Sequence, residues 1–401
     1  MKWKNWAGNV TANPDQQLVV GSEAELIDVV SQARDNGKKI RAVGTGHSFT
    51  PICATSDTLV SLDDREECRV SEKSVASFWA GTKIGTAAST LWERGYSFEN
   101  QGDIDVQSLS GALSTGTHGT GEVFGSFSAK TEGLRVVAAD GVVHEINKER
   151  DPDLQRAAAL SVGMLGLVSE ASLQVSPRFY LREETQIVAT DACLDELEAL
   201  SAPYRNVEFY WLPNFDKCVL KTFEESSADE IVTSDEGVLP PPGTIERYLR
   251  PVRADRAYLV YRNIRTVPFL EMEYSVPIES GLACVGEIRQ LMKSRFPEMT
   301  WVVEYRTQAQ DDLMLSPAFG RPVATISVHD APEGRLSEKY FRACEEIFIG
   351  YDGRPHWGKL CFLSPGQRAD RFPGFESFSR VRQRFDPNGM FLNDFLRPLF
   401  I

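Results

Sequence analysis

Apolar residues recur along this chain in two periods, a helical one near four and a strand one near two, and these predict most of its elements. "SEAELIDVVSQARDNG" has helical spacing, with Ser22 at the N-cap, Glu25 in capping-box position and Gly37 as the stop. The short runs "QLVV" and "KKIRAV" flank it, which gives a strand–helix–strand unit. "DTLVSL" and "SVASFWAG" read as further strands, and "TKIGTAASTLWERG" as a short helix ending at Gly95. "GLRVVAADGVVHEI" predicts a hairpin around Asp140 and Gly141. Between them "QSLSGALSTGTHGTG" reads as a glycine-rich loop, and "SVGMLGLVSEASLQVSP" ends the first half.

From about residue 179 the strands lengthen, as in "FYLREETQIVA" and "NVEFYWLP". "EMEYSVP", "TWVVEYRT" and "VATISVHD" continue the strand pattern, with helices from about Glu279 to Arg295 and over "SEKYFRACEEIFIG". The acidic, proline-containing "EESSADEIVTSDEGVLPPPG" predicts a mobile surface loop. The aromatic tail through "FDPNGMFLNDFLRPLF" should dock on the body. The pattern is α+β.

At 401 residues two domains are expected, and the boundary falls near Pro177, where strand length changes. A formal net charge of −14 argues against duplex nucleic acid or an anionic membrane as partner, since lysine and arginine hold both. The start lacks a leader-like apolar core, and no later run is long enough to span a bilayer, so a cytoplasmic protein acting on a small molecule is expected. Seven scattered cysteines without a C-x-x-C pair read as free thiols. With five histidines and no H-E-x-x-H, a zinc site has little support.

In "KKIRAVGTGHSFTPI" a strand runs into two glycines, a threonine and His47. Phe49 stands where a dinucleotide fingerprint needs its third glycine, Pro51 follows, and no Lys-Ser/Thr pair makes a P-loop. Alone, "GTGHS" reads only as a tight turn. "SGALSTGTHGTG" adds four glycines, three threonines and two serines, whose amides and hydroxyls suit a pyrophosphate, with His118 as a further donor. A plain glycine-rich connection is the other reading. Glu304 and Arg306 in "WVVEYRT" share one strand face, as do Ser327 and His329 in "VATISVHD"; either pair fits a surface ladder or a site.

Taken in order, "AVGTGHSFTP", "DVQSLSGALSTGTHGTG", "SVGMLGLVSEASLQV", "EMEYSVP", "VVEYRT", "RPHWGKL" and "FDPNGMFLNDFL" resemble the FAD-linked sugar-lactone and polyol oxidases. That group includes L-gulono-1,4-lactone oxidase, D-arabinono-1,4-lactone oxidase and alditol oxidase, within the fold family named after vanillyl-alcohol oxidase. The resemblance implies a two-subdomain FAD-binding domain over residues 1–175. A cap domain with a large antiparallel sheet follows over 176–401, its segment from about 350 returning to the flavin. It implies FAD held by Gly44, Thr45, Gly46, His47 and Ser48 of the first loop, and by Ser108, Gly111, Ser114, Gly116, Thr117, His118 and Gly121 of the second, with Val168. His47 matches the histidine that carries the flavin covalently.

The same resemblance implies that Glu304 accepts hydrogen bonds from substrate hydroxyls and that Arg306 binds the oxygen being oxidised. Lys359 of "PHWGK" would lie near the flavin. Its proximity to an arginine would make it partly neutral and a possible base, with His329 the alternative. His356 and Trp357 would pack. The implied reaction is hydride transfer from a CH–OH group of a sugar lactone or polyol to flavin N5, with dioxygen reduced to hydrogen peroxide. A dehydrogenase that excludes dioxygen, and a noncatalytic sugar-binding protein, are the rival readings.

Overall fold

The computed structural model describes residues 2–232, 240–334 and 337–400. The helix Glu23–Asp35 starts as its caps predict: Ser22 Oγ accepts from the Glu25 N–H at 3.2 Å. Glu25 reaches back one residue further than a standard box and accepts from the Gly21 N–H at 2.8 Å. This helix lies against a parallel sheet ordered Gln16–Val20, Thr58–Leu62, Ile40–Ala42, packed through Leu26 and Val30. The predicted hairpin pairs Thr131–Val137 with Val143–Asn147 and forms one side of a five-stranded antiparallel sheet continued by Leu167–Gln174, Val75–Trp79 and Cys68–Val70.

The glycine-rich stretch is not a continuous loop. Leu109–Thr115 is a helix, because Leu109, Ala112 and Leu113 fall at i, i+3 and i+4 and bury together in the first-half core. Gly116 ends it in the left-handed region, at φ 79°, where a side chain would be strained. The acidic stretch also departs from expectation, since the strand Lys217–Ser226 runs into it and Val232 bridges Ala254. Residues 233–239 of that expected loop lie outside the described residues.

Eight antiparallel strands form the largest sheet, ordered Arg253–Arg256, Tyr180–Ala189, Lys217–Ser226, Asn206–Leu212, Val303–Gln308, Val323–Asp330, Leu270–Pro277 and Arg354–Pro355. Strict alternation gives it two unlike buried faces. Phe209, Trp211, Met272, Tyr274, Tyr305 and Ile326 point into an apolar core shared with the helices Thr190–Ser201, Gly281–Arg295 and Ser337–Gly350. The intervening Glu208, Tyr210, Glu271, Glu273, Glu304, Ser327 and His329 form a buried polar face. Buried polar groups survive only with partners, so this face announces a site.

The tail docks as predicted. Phe378, Leu392, Leu396 and Leu399 join the first-half core, while Arg354 and Pro355 pair with the edge of the eight-stranded sheet. Arg41 ties the tail to the first loop: its guanidinium donates to the carbonyls of Ile52 at 2.7 Å, Gly163 at 3.0 Å, Val162 at 2.8 Å and Phe391. Arg41→Met leaves these buried acceptors short of donors, and such orphans cost about 1–3 kcal/mol each. The expected result is a fall in unfolding free energy of roughly 3 kcal/mol or more, read as a lower urea midpoint.

Candidate active site

Two clefts of about 1070 and 910 Å³ meet at His47, Ser48, Gln107 and Thr115. The smaller is walled by Gly44, Thr45 and Gly46 from the first loop, by Ser108, Gly111 and Ser114 from the helix opposite, and by Val168. An ideal Cβ on Gly44 would sit 2.1 Å from Ser108 Oγ, so only glycine allows these walls to close together. Small residues, hydroxyls and the nearby Arg41 cation suit the pyrophosphate of a dinucleotide such as FAD. Thr117 and His118 instead line the larger cleft. Gly116 and Gly121 line neither; Gly121 donates its N–H to the Thr307 carbonyl at 2.9 Å and so ties this segment to the large sheet.

His47 lines both clefts. Trp6 stacks on its ring at 5.3 Å and 17°, and its Nδ1 lies 2.9 Å from Thr45 Oγ1. Burial, aided by the Lys359 charge, lowers its pKa to about 4, so the ring is neutral at physiological pH.

The larger cleft is floored by the polar face. Its cross-strand pairs are Tyr210 with Glu304, Glu304 with Ser327, and Ser327 with Glu273. Arg306 Nε donates to Glu304 Oε1 at 2.9 Å and lies 3.3 Å from Glu208 Oε2. Burial raises the Glu304 carboxyl above its usual range despite the opposing Arg306 charge. Lys221 holds the other oxygen of Glu208 at 2.9 Å, and the Tyr210 hydroxyl donates to that same oxygen at 2.8 Å.

At the opposite end Lys359 pairs with Glu271, and Ser327 Oγ donates to Glu271 Oε1 at 2.9 Å. Burial pushes the Glu271 carboxyl upward, but Lys359 and His329 outweigh it and leave it below the usual value. The Glu273 carboxyl is held well below its usual value against the same burial, chiefly by His118, whose Nε2 is 3.1 Å away. His329 Nδ1 lies 3.0 Å from the Val302 carbonyl.

His356 is buried beside this group, and its Nδ1 accepts from the Gly358 N–H at 3.0 Å. Burial lowers its pKa to about 4 from 6.5. Between those values the unfolded chain binds a proton that the folded one does not, so stability falls as pH drops from about 6.5 to about 4. The slope expected from this one group is up to about 1.4 kcal/mol per pH unit. His356→Asn, which keeps an acceptor for Gly358, should flatten the slope by that amount in urea titrations. Glu271 and Glu273, with lowered values, lose their contribution only at more acidic pH.

The structure thus gathers Glu304, Arg306, His329, Lys359 and His47 around one cavity. It adds a partner for Lys359 that the sequence did not suggest, the Glu271 carboxylate. Sequence reasoning passed over Glu271, Glu273, Glu208, Tyr210 and the Asp103–Arg265 pair at 2.6 Å. The alternation in "EMEYSVP" carried the signal for the first two. Glu271, Glu304 and His329 also place potential metal-ligand atoms within 4.8 Å of one another, a grouping that no motif spacing displays.

Comparison with known proteins matches residues 244–399 to the D-arabinono-1,4-lactone oxidase family and residues 14–147 to an FAD binding domain. The chain is 33% identical to an L-gulono-1,4-lactone dehydrogenase of Mycobacterium tuberculosis, over 98% of each chain. It is 25% identical to the L-gulonolactone oxidase of Mus musculus, over 100% of this chain and 98% of that one. Among solved structures, cholesterol oxidase from B. sterolicum superposes with a TM-score of 0.87 at 15% identity, covering 100% of this chain and 96% of that one. Chitooligosaccharide oxidase gives 0.73 at 12%, covering 97% and 93%. These two establish the fold.

Proposed function

Because the chain belongs to the FAD-dependent aldonolactone oxidases and dehydrogenases, we propose that it oxidises a CH–OH group of a sugar lactone and passes the electrons to dioxygen, giving hydrogen peroxide. The observation that carries this reading is the convergence of Glu304, Arg306 and His329 on the cleft that His47 shares with the dinucleotide groove. FAD, when bound, supplies the hydride acceptor. The FAD-binding domain is taken as residues 1–175 and the cap as 176–401, with the segment from about 350 returning to the flavin.

In this proposal Arg306 donates to the oxygen being oxidised and stabilises its developing charge. Arg306 uses Oε1 of Glu304, which leaves Oε2 to accept a substrate hydroxyl. The hydroxyl proton goes to His329. A carbonyl facing Nδ1 requires a donor there, so in the neutral ring the proton sits on Nδ1 and Nε2 is the acceptor. Lys359 is already engaged by Glu271, and orients that carboxylate. His47, neutral and stacked on Trp6, is the proposed covalent anchor.

Among the described residues no helix is long and apolar enough to cross a membrane, and all seven cysteines are free; a cytoplasmic location fits both. The test is a panel of aldonolactones and alditols with peroxide detection, run with and without oxygen. Lactone turnover with peroxide is expected. Turnover of alditols alone removes the lactone assignment, and lactone turnover only with an artificial acceptor makes the protein a dehydrogenase.

A further inference from the structure

The acidic groups lining the larger cleft are matched one by one. Asp103 pairs with Arg265 at 2.6 Å, Glu304 with Arg306, Glu271 with Lys359, and Glu273 with His118 at 3.1 Å. Arg247 lines the same cleft and is 5% exposed, yet no carboxylate of the described residues pairs with it. Its Nη1 donates to the Pro240 carbonyl at 2.7 Å. That carbonyl engages one of the five guanidinium donors and neutralises no charge. Burial lowers the pKa of its guanidinium; the Tyr248 phenol opposes this, and the cations Arg265 and Arg250 add to it. A buried cation that no carboxylate of the described residues neutralises is costly, so this corner is organised for an anion that arrives from solution.

The location specifies which anion. Arg247 precedes Tyr248, whose ring packs against Tyr210 at 4.9 Å. Tyr210 begins the cross-strand row that continues through Glu304 and Ser327 to Glu273, three strand spacings or about 14 Å away. Arg247 therefore sits at the end remote from Lys359 and His118, past Glu304 and Arg306. A substrate with its reacting carbon at Arg306 would turn its far terminus toward Arg247.

We propose that the substrate is a sugar lactone carrying a carboxylate at the terminus remote from the oxidised carbon, and that Arg247 binds this carboxylate through its planar fork of donors. The proposal rests on the lactone-oxidising reading above and adds the charge of the substrate to it.

The test uses the holoenzyme with an artificial electron acceptor and two probes, L-gulono-1,4-lactone and the lactone of the same configuration whose terminal CH₂OH is a carboxylate. Wild type should favour the carboxylate probe in kcat/KM by about tenfold or more. Arg247→Met should lower kcat/KM for the carboxylate probe by on the order of thirtyfold more than for the neutral one, mainly through KM, and Arg247→Lys should keep part of the preference. Flavin content and thermal midpoint report whether the variants fold. If wild type turns over the neutral lactone as well as or better than the charged one, this inference is wrong and the lactone reading stands. If neither probe is turned over, the lactone reading fails, and thermal shift decides the anion site by itself. Stabilisation by the carboxylate probe that Arg247→Met abolishes supports it. Equal stabilisation in both proteins, or none in wild type, overturns it.

Discussion

Denaturing the holoenzyme in acid should leave the yellow chromophore on the polypeptide, and His47→Ala should release it. A bond from an imidazole nitrogen needs a lone pair, and hence a neutral ring; His47 is neutral at physiological pH because burial lowers its pKa to about 4. The ring is also held in place, stacked on Trp6 and 2.9 Å from Thr45 Oγ1, at the junction of the two clefts. His47→Ala removes the attachment atom but leaves Gly44, Ser108 and Ser114 to hold a dissociable cofactor. The variant should therefore bind flavin reversibly, with all of it in the supernatant after precipitation and a large loss of kcat from an altered potential. Complete dissociation from denatured wild type would end the covalent proposal without touching the fold.

Local patterns were legible and long-range pairings were not. The helix Glu23–Asp35 and the hairpin at Asp140–Gly141 follow from caps, periodicity and turn chemistry within a few residues. The helix Leu109–Thr115 was hidden by its glycines, although Leu109, Ala112 and Leu113 carried its spacing. Glu304 and Arg306 were visible because they are two apart on one strand. Glu271 was not, since what makes a buried carboxylate tolerable there is Lys359, 88 residues further on. For the same reason the Glu271 partner of Lys359 went unseen. Arg247 left no trace at all, because what sets it apart is that no carboxylate of the described residues pairs with it, which the sequence does not display.

Arg306→Lys should lower kcat by on the order of a hundredfold while flavin content and thermal unfolding stay near wild type. The choice of lysine follows from the geometry. Arg306 serves two buried carboxylates, Glu304 at 2.9 Å and Glu208 at 3.3 Å; a neutral replacement leaves Glu208 with Lys221 but strands Glu304, at a cost of roughly 3–5 kcal/mol as for an unpaired buried charge. Inactivity of Arg306→Ala would then say little about chemistry. Lysine keeps the positive charge, and Lys221 continues to hold Glu208 at 2.9 Å, but the fork that binds Glu304 and a substrate oxygen together is lost. A group that stabilises charge developing during hydride removal acts on the transition state more than on the bound substrate, so the loss should fall on kcat with a smaller change in KM. Glu304→Gln keeps the shape and removes the charged acceptor, so it should raise KM as well. Normal turnover by Arg306→Lys with both carboxylates intact would reduce the pair to a structural strand contact and move the reaction centre toward His329 and Glu271.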